Sequence, residues 1–91
     1  PGQWVLIDLW ARVPGDDNIF SDVTWTGFVG DGSKSRPTDR HMHVFSAVLA
    51  ARDASLKRAQ DGWARREPVQ GWQLDDAAAD VLRGAGLGDF I

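Results

Sequence analysis

The chain contains no cysteine. That excludes disulfides, thiol nucleophiles, iron–sulfur clusters and cysteine-ligated zinc together. Glutamate is nearly absent too: Glu67 stands alone beside twelve aspartates, and Lys34 and Lys57 are the two lysines beside eight arginines. Long apolar runs are missing. The uncharged stretch 41–51 falls far short of the roughly 20 apolar residues that a membrane span needs. The first residues lack the cationic start and apolar run of a secretory signal. Together these absences predict a soluble, cytoplasmic protein.

What remains is 91 residues and 10.0 kDa, 43% hydrophobic and 25% charged, with a formal charge of −3 and a pI near 5.1. Those fractions match ordinary globular domains and argue against global disorder. The length predicts one small domain, residues 1–91, with one modest core. Five tryptophans are a heavy load for such a chain, and tryptophan serves both cores and binding surfaces. Charge is segregated. Residues 1–33 set Arg12 against five aspartates, residues 34–67 carry eight basic groups against four acids, and residues 68–91 set Arg83 against four aspartates. A basic middle between acidic ends can neutralise itself internally.

Trp4 to Val13 alternates: Val5, Ile7, Leu9, Ala11 and Val13 form an apolar row, with Trp4, Leu6, Asp8, Trp10 and Arg12 on the opposite face. Period two with β-branched and aromatic content predicts a strand at about 4–13. Pro14-Gly15-Asp16-Asp17-Asn18 stacks turn formers. A second strand, at about 19–29, then returns as an antiparallel hairpin.

Residues 30–37 read as a polar loop. Thr38 is a predicted N-cap, with Asp39 in the first turn where the helix dipole favours an anion. Met42, Phe45, Leu49, Leu56, Ala59 and Trp63 recur at helical spacing, which predicts a long helix at about 39–66 with Gly62 as a tolerated weak point. Asp53–Lys57 and Asp61–Arg65 are expected i,i+4 pairs on its solvated side. Pro68 ends the helix, and a short helix at about 76–83, capped by Asp75 and stopped by Gly84, leads to a glycine-rich tail that should dock. The predicted fold is α+β: an N-terminal antiparallel hairpin against one long helix, then a short helix and a docked tail.

A hairpin needs a partner on one face. The long helix covers the row containing Val5 and Ile7 in this reading. The other face still presents Trp4, Leu6, Trp10, Phe20 and Phe28, more apolar surface than a non-interacting monomer exposes. Sequence reasoning therefore favours a non-catalytic protein-binding module, a regulator, adaptor or inhibitor. Its partner would be another protein or a second copy of itself, engaged through Trp4, Leu6, Trp10 and Phe28 with Arg36 and Arg40 at the rim. No enzyme activity, cofactor or metal is expected.

Chemical alternatives read more weakly. Asp39, His41 and His43 would share a face on a strand as a metal or acid–base cluster, but on a helix the two histidines stand about 200° apart. The glycine- and lysine-containing loop 27–35 resembles a phosphate cradle, yet Gly32 is followed by Ser33 and not by lysine, and Pro37 separates it from the helix. Arg52, in the middle of the helical apolar stripe, reads as a stem-packed arginine reaching an acid such as Asp8 or Asp22, or as an interface anchor. A nucleic-acid face along the basic helix 40–66, with Arg40, Arg58 and Arg65 clustered, is opposed by the acidic pI and the interleaved Asp39 and Asp61.

Overall fold

The computed structural model describes residues 1–32 and 34–91. An antiparallel two-stranded sheet is followed by two α-helices and a short 3-10 turn, a small α+β fold as the sequence predicts. The chain forms two compact units, Pro1–Pro37 and Thr38–Ile91. No helix among the described residues is long and apolar enough to cross a membrane.

In the first unit, β1 (Gln3–Ala11) pairs with β2 (Ser21–Val29) from Gln3 opposite Val29 to Ala11 opposite Ser21. The Gly2 N–H donates to the Val29 carbonyl at 2.7 Å and extends the ladder by one bond. Both strands stop short of the turn at residues the pattern assigned to them. Arg12, Val13, Ile19 and Phe20 belong to the connection, because Asn18 organises it: its side-chain amide donates to the carbonyls of Val13 and Pro14. Gly15 sits at φ 140°, open only to glycine. The Arg12 guanidinium lies 4.8 Å from the Phe20 ring centroid, a cation–π contact across the neck of the turn.

In the second unit, α1 (Asp39–Arg65) starts where Thr38 predicts. The His41 N–H donates to Thr38 Oγ1, and the Thr38 N–H donates to His41 Nδ1, a reciprocal box with histidine in the place usual for glutamate or glutamine. Arg66 closes the helix in the left-handed region, φ 57°, its N–H reaching the carbonyls of Gly62 and Trp63. The second helix, α2 (Gly71–Gly84), begins five residues before the expected start. The side chain of Gln73 accepts from the Gln70 N–H at 2.9 Å, so a Gln-x-x-Gln box starts the helix and Asp75 lies inside it.

The two helices pack as an antiparallel pair. His43, near the start of α1, lies against Ala85, just past the end of α2, while Gly62, near the end of α1, lies against Val69, just before α2. The buried face of α1 is Ala47, Ala51 and Gly62. This corrects the expected core stripe: Met42, Leu56 and Trp63 are exposed, Trp63 at 88%. Small residues let helix axes approach, so the close face belongs to alanine and glycine. The chain then turns at Gly86, φ 74°, where the Leu87 N–H donates to the Leu82 carbonyl, and the 3-10 turn Gly88–Phe90 docks beside α2.

Candidate functional site

The register decides what each face of the ribbon carries. Trp4 faces Phe28, Leu6 faces Thr26, Asp8 faces Thr24 and Trp10 faces Asp22. Alternation puts all eight on one side. Trp4 and Phe28 meet edge to face, with centroids 5.7 Å apart and planes at 70°. Asp8 and Asp22 are diagonal neighbours on that side, positions whose Cα atoms stand about 7–8 Å apart with the side chains closer. Both are exposed. Thr24 Oγ1 donates to Asp8 Oδ1 at 2.8 Å, which orients that carboxylate and leaves its second oxygen for other partners.

Two carboxylates on neighbouring positions of one face repel, and a divalent cation between them turns the repulsion into ligation. Aspartate oxygens suit hard cations and also zinc, and a hydroxyl that orients a ligating carboxylate is a common supporting feature of such sites. The pair therefore fits a metal in kind. In number it is incomplete: among the described residues no group of three His, Cys, Asp or Glu is placed to hold an ion.

The alternating Asp39, His41 and His43 do not form a cluster. His41 is held in the cap of α1 through Nδ1. His43 Nε2 lies 2.9 Å from the Ala85 carbonyl, an acceptor, so this nitrogen carries the proton. That bond ties the start of α1 to the end of α2.

The cradle-like loop is closed by its own acid. Asp31 Oδ1 accepts from the Lys34 and Ser35 N–H groups at 2.6 and 2.8 Å, so these donors already hold an anion. Ser33 of that loop lies outside the described residues. Arg52 Nε and Nη2 donate to neighbouring Asp53 at 2.9 and 2.7 Å, so the acid it engages lies on its own helix. Asp53 thus takes Arg52 in place of Lys57, and Lys57 pairs with Asp61 at 2.7 Å, the acid now on the C-terminal side. The Lys57 hydrogen bond holds the Asp61 carboxyl below its usual range. These pairs partly neutralise the basic helix.

Of the residues expected to bind a partner, Trp4, Leu6, Trp10 and Phe28 share one face of the ribbon. Arg36 lies in the loop after β2. Arg40 belongs to the helical unit, where it lines a groove of about 320 Å³ with Val44, Val48, Leu82 and the tail. Sequence reasoning missed the Asp8–Asp22 pair. The signal was an aspartate in the middle of an otherwise apolar strand, but joining it to Asp22 requires the register.

A family model described as Metallopeptidase family M24 matches residues 1–91. No curated protein and no solved structure matches the chain. The family match overturns the expectation of a non-catalytic binding module acting as regulator, adaptor or inhibitor, and with it the expectation that the chain is no enzyme. Exposed aromatic surface by itself does not distinguish a binding module from an enzyme.

Proposed function

The chain belongs to metallopeptidase family M24, and from that membership we propose that its chemistry is the metal-dependent hydrolysis of peptide bonds. The observation that carries the reading to particular residues is the placement of Asp8 and Asp22 as diagonal neighbours on one ribbon face. A divalent cation, when bound, supplies a polarised peptide carbonyl and a water acidic enough to attack it near neutral pH. Asp8 and Asp22 would hold that cation through carboxylate oxygens. Thr24 is a positioning residue: its hydroxyl donates to one oxygen of Asp8 and so orients the carboxylate. Further ligands come from outside the pair, since catalytic zinc takes three protein ligands and other hard cations take more oxygens still.

Titration of the chain with manganese(II), followed by the loss of the free-ion paramagnetic signal, tests this. The chain should bind about one ion, weakly for want of further ligands, and Asp8→Asn or Asp22→Asn should each lower the affinity by about tenfold or more. Asp16→Asn and Asp17→Asn, in the turn, should leave it unchanged. Equal binding by all four variants and the parent would overturn the assignment.

A further inference from the structure

The two helices start on the same device built from different chemistry. At α2, Gln73 Oε1 accepts from the Gln70 N–H at 2.9 Å. At α1, His41 Nδ1 accepts from the Thr38 N–H at 3.3 Å, and the His41 N–H donates to Thr38 Oγ1 at 3.2 Å. An amide oxygen keeps its lone pairs in mild acid. An imidazole nitrogen accepts through the one lone pair that also takes up the proton, and imidazolium has two donors and no acceptor.

The chain has two histidines, and they use opposite halves of the ring. His43 Nε2 carries a proton and donates to the Ala85 carbonyl at 2.9 Å. Imidazolium keeps that bond, and the C-terminal end of a helix favours its charge. His41 engages through its lone pair, so a proton on Nδ1 sets two donors against each other. The new charge also stands in the first turn of α1, where the helix dipole opposes it. Both effects have the same sign. Asp39 and Arg40 flank His41 on its own turn with charges of opposite sign. α2, packed against α1, ends on the His43 side, about 200° around the helix from His41. The charged groups at that end are Arg83, bonded to Asp80 at 3.0 Å, and Asp89 in the 3-10 turn.

We propose that His41 is an acid-released catch on the start of α1: neutral, it closes the cap by accepting from the Thr38 N–H, and protonated, it lets the first turn open. The catch holds where the imidazole is neutral and is lost as pH falls. The start of α2 and the His43 bond survive the same acid. Thr38 is the first residue of the helical unit, so an opened first turn adds its residues to the connection leading in from the ribbon unit.

The test uses the full chain, nitrogen-15 labelled, taken from about pH 8 to about pH 5, the window in which histidine gains its charge. The Thr38 amide proton should move upfield as its acceptor is lost, while the Gln70 amide proton stays in place. His41→Gln gives α1 the box that α2 already uses and should hold the Thr38 amide still. Unfolding in urea, followed at 222 nm, supplies the second readout. Over the same fall in pH the unfolding constant of the parent should rise about fivefold more than that of His41→Gln, the worth of one hydrogen bond. His43→Gln should keep the parent's acid loss. A Thr38 amide that does not move in the parent overturns the catch, and needs no variant to fold. Equal acid loss in the parent and His41→Gln, or an acid loss that disappears in His43→Gln, overturns it as well.

Discussion

Replacing Gly62 by alanine sets two effects of known sign against each other. In a helix interior glycine is about 1 kcal/mol worse than alanine, so at an open site Gly62→Ala would stabilise α1 by about that amount. Gly62 is not at an open site. A Cβ there lands on Cγ2 of Val69, well inside van der Waals contact, and stands 3.2 Å from the Glu67 carbonyl oxygen. Valine is stiff about χ1 and cannot swing clear cheaply. The backbone around it is pinned as well, since the Glu67 N–H donates to the Gly62 carbonyl at 2.9 Å and Arg66 is fixed in the left-handed region. Overpacking of this kind costs roughly 1–3 kcal/mol, with the upper half expected here because the obstacle is a branched side chain backed by main chain. The net expectation is a loss of about 1–2 kcal/mol, a fall of several degrees in the melting of the helical unit followed at 222 nm. Gly62→Ala with Val69→Ala should recover most of the loss relative to Val69→Ala alone, which isolates the contact as a coupling energy. A Gly62→Ala chain that melts higher than the parent would refute the argument and show the helix ends to be looser than described.

Thr38→Ala removes the hydroxyl that accepts from the His41 N–H and keeps the backbone N–H that donates to His41 Nδ1, so half of the α1 cap is lost; about 1 kcal/mol of stability should go, seen in the same melting experiment. Thr24→Val keeps the shape of β2 but deletes the hydroxyl that orients Asp8, and manganese affinity should fall by about tenfold with little change in stability. Asp61 has a pKa lowered in the folded chain, first by the hydrogen bond from Lys57. The pair's stabilisation is therefore full above the unfolded value of 3.8 and is lost as pH falls through the lower folded value. Because the pair is open to solvent, the effect should be small, and Asp61→Asn should flatten only the acid end of a stability–pH curve.

Much of the fold was legible because its elements rest on local signals. Alternation from Trp4 to Ala11 can satisfy only a strand, Pro14-Gly15 can only interrupt it, and Thr38 with Asp39 marks a helix start that the structure places at the same residue. Two features were not legible, for different reasons. The start of α2 lay hidden because Gly71 and Trp72 look like loop residues, and glutamine at Gln70 and Gln73 is an uncommon starting box. The packed face of α1 lay hidden because a hydrophobic stripe is found by its large residues. A helix that must approach its neighbour closely instead buries Ala47, Ala51 and Gly62, residues that carry almost no hydropathy signal.

The candidate site failed to show for a third reason, which lies in sheet geometry. Asp8 and Asp22 are fourteen residues apart in sequence, and nothing local relates them. Whether they share a face depends on the pairing of Trp10 with Asp22, and a slip of one residue would send Asp22 to the other side of the ribbon. The turn that sets this register spans Arg12 to Phe20 and is organised by Asn18, not by a two-residue hairpin whose geometry could be read from its letters. Once the register is known, the composition of the face becomes informative. Aspartate is disfavoured in strands, and two aspartates set diagonally on one face add mutual repulsion. Thr24 and Thr26, on the same face of β2, show what that surface would carry if strand stability alone were at stake. A ribbon that instead keeps Asp8 between Leu6 and Trp10, and Asp22 opposite Trp10, gives up stability at those positions, a local sacrifice for which the proposed cation site accounts.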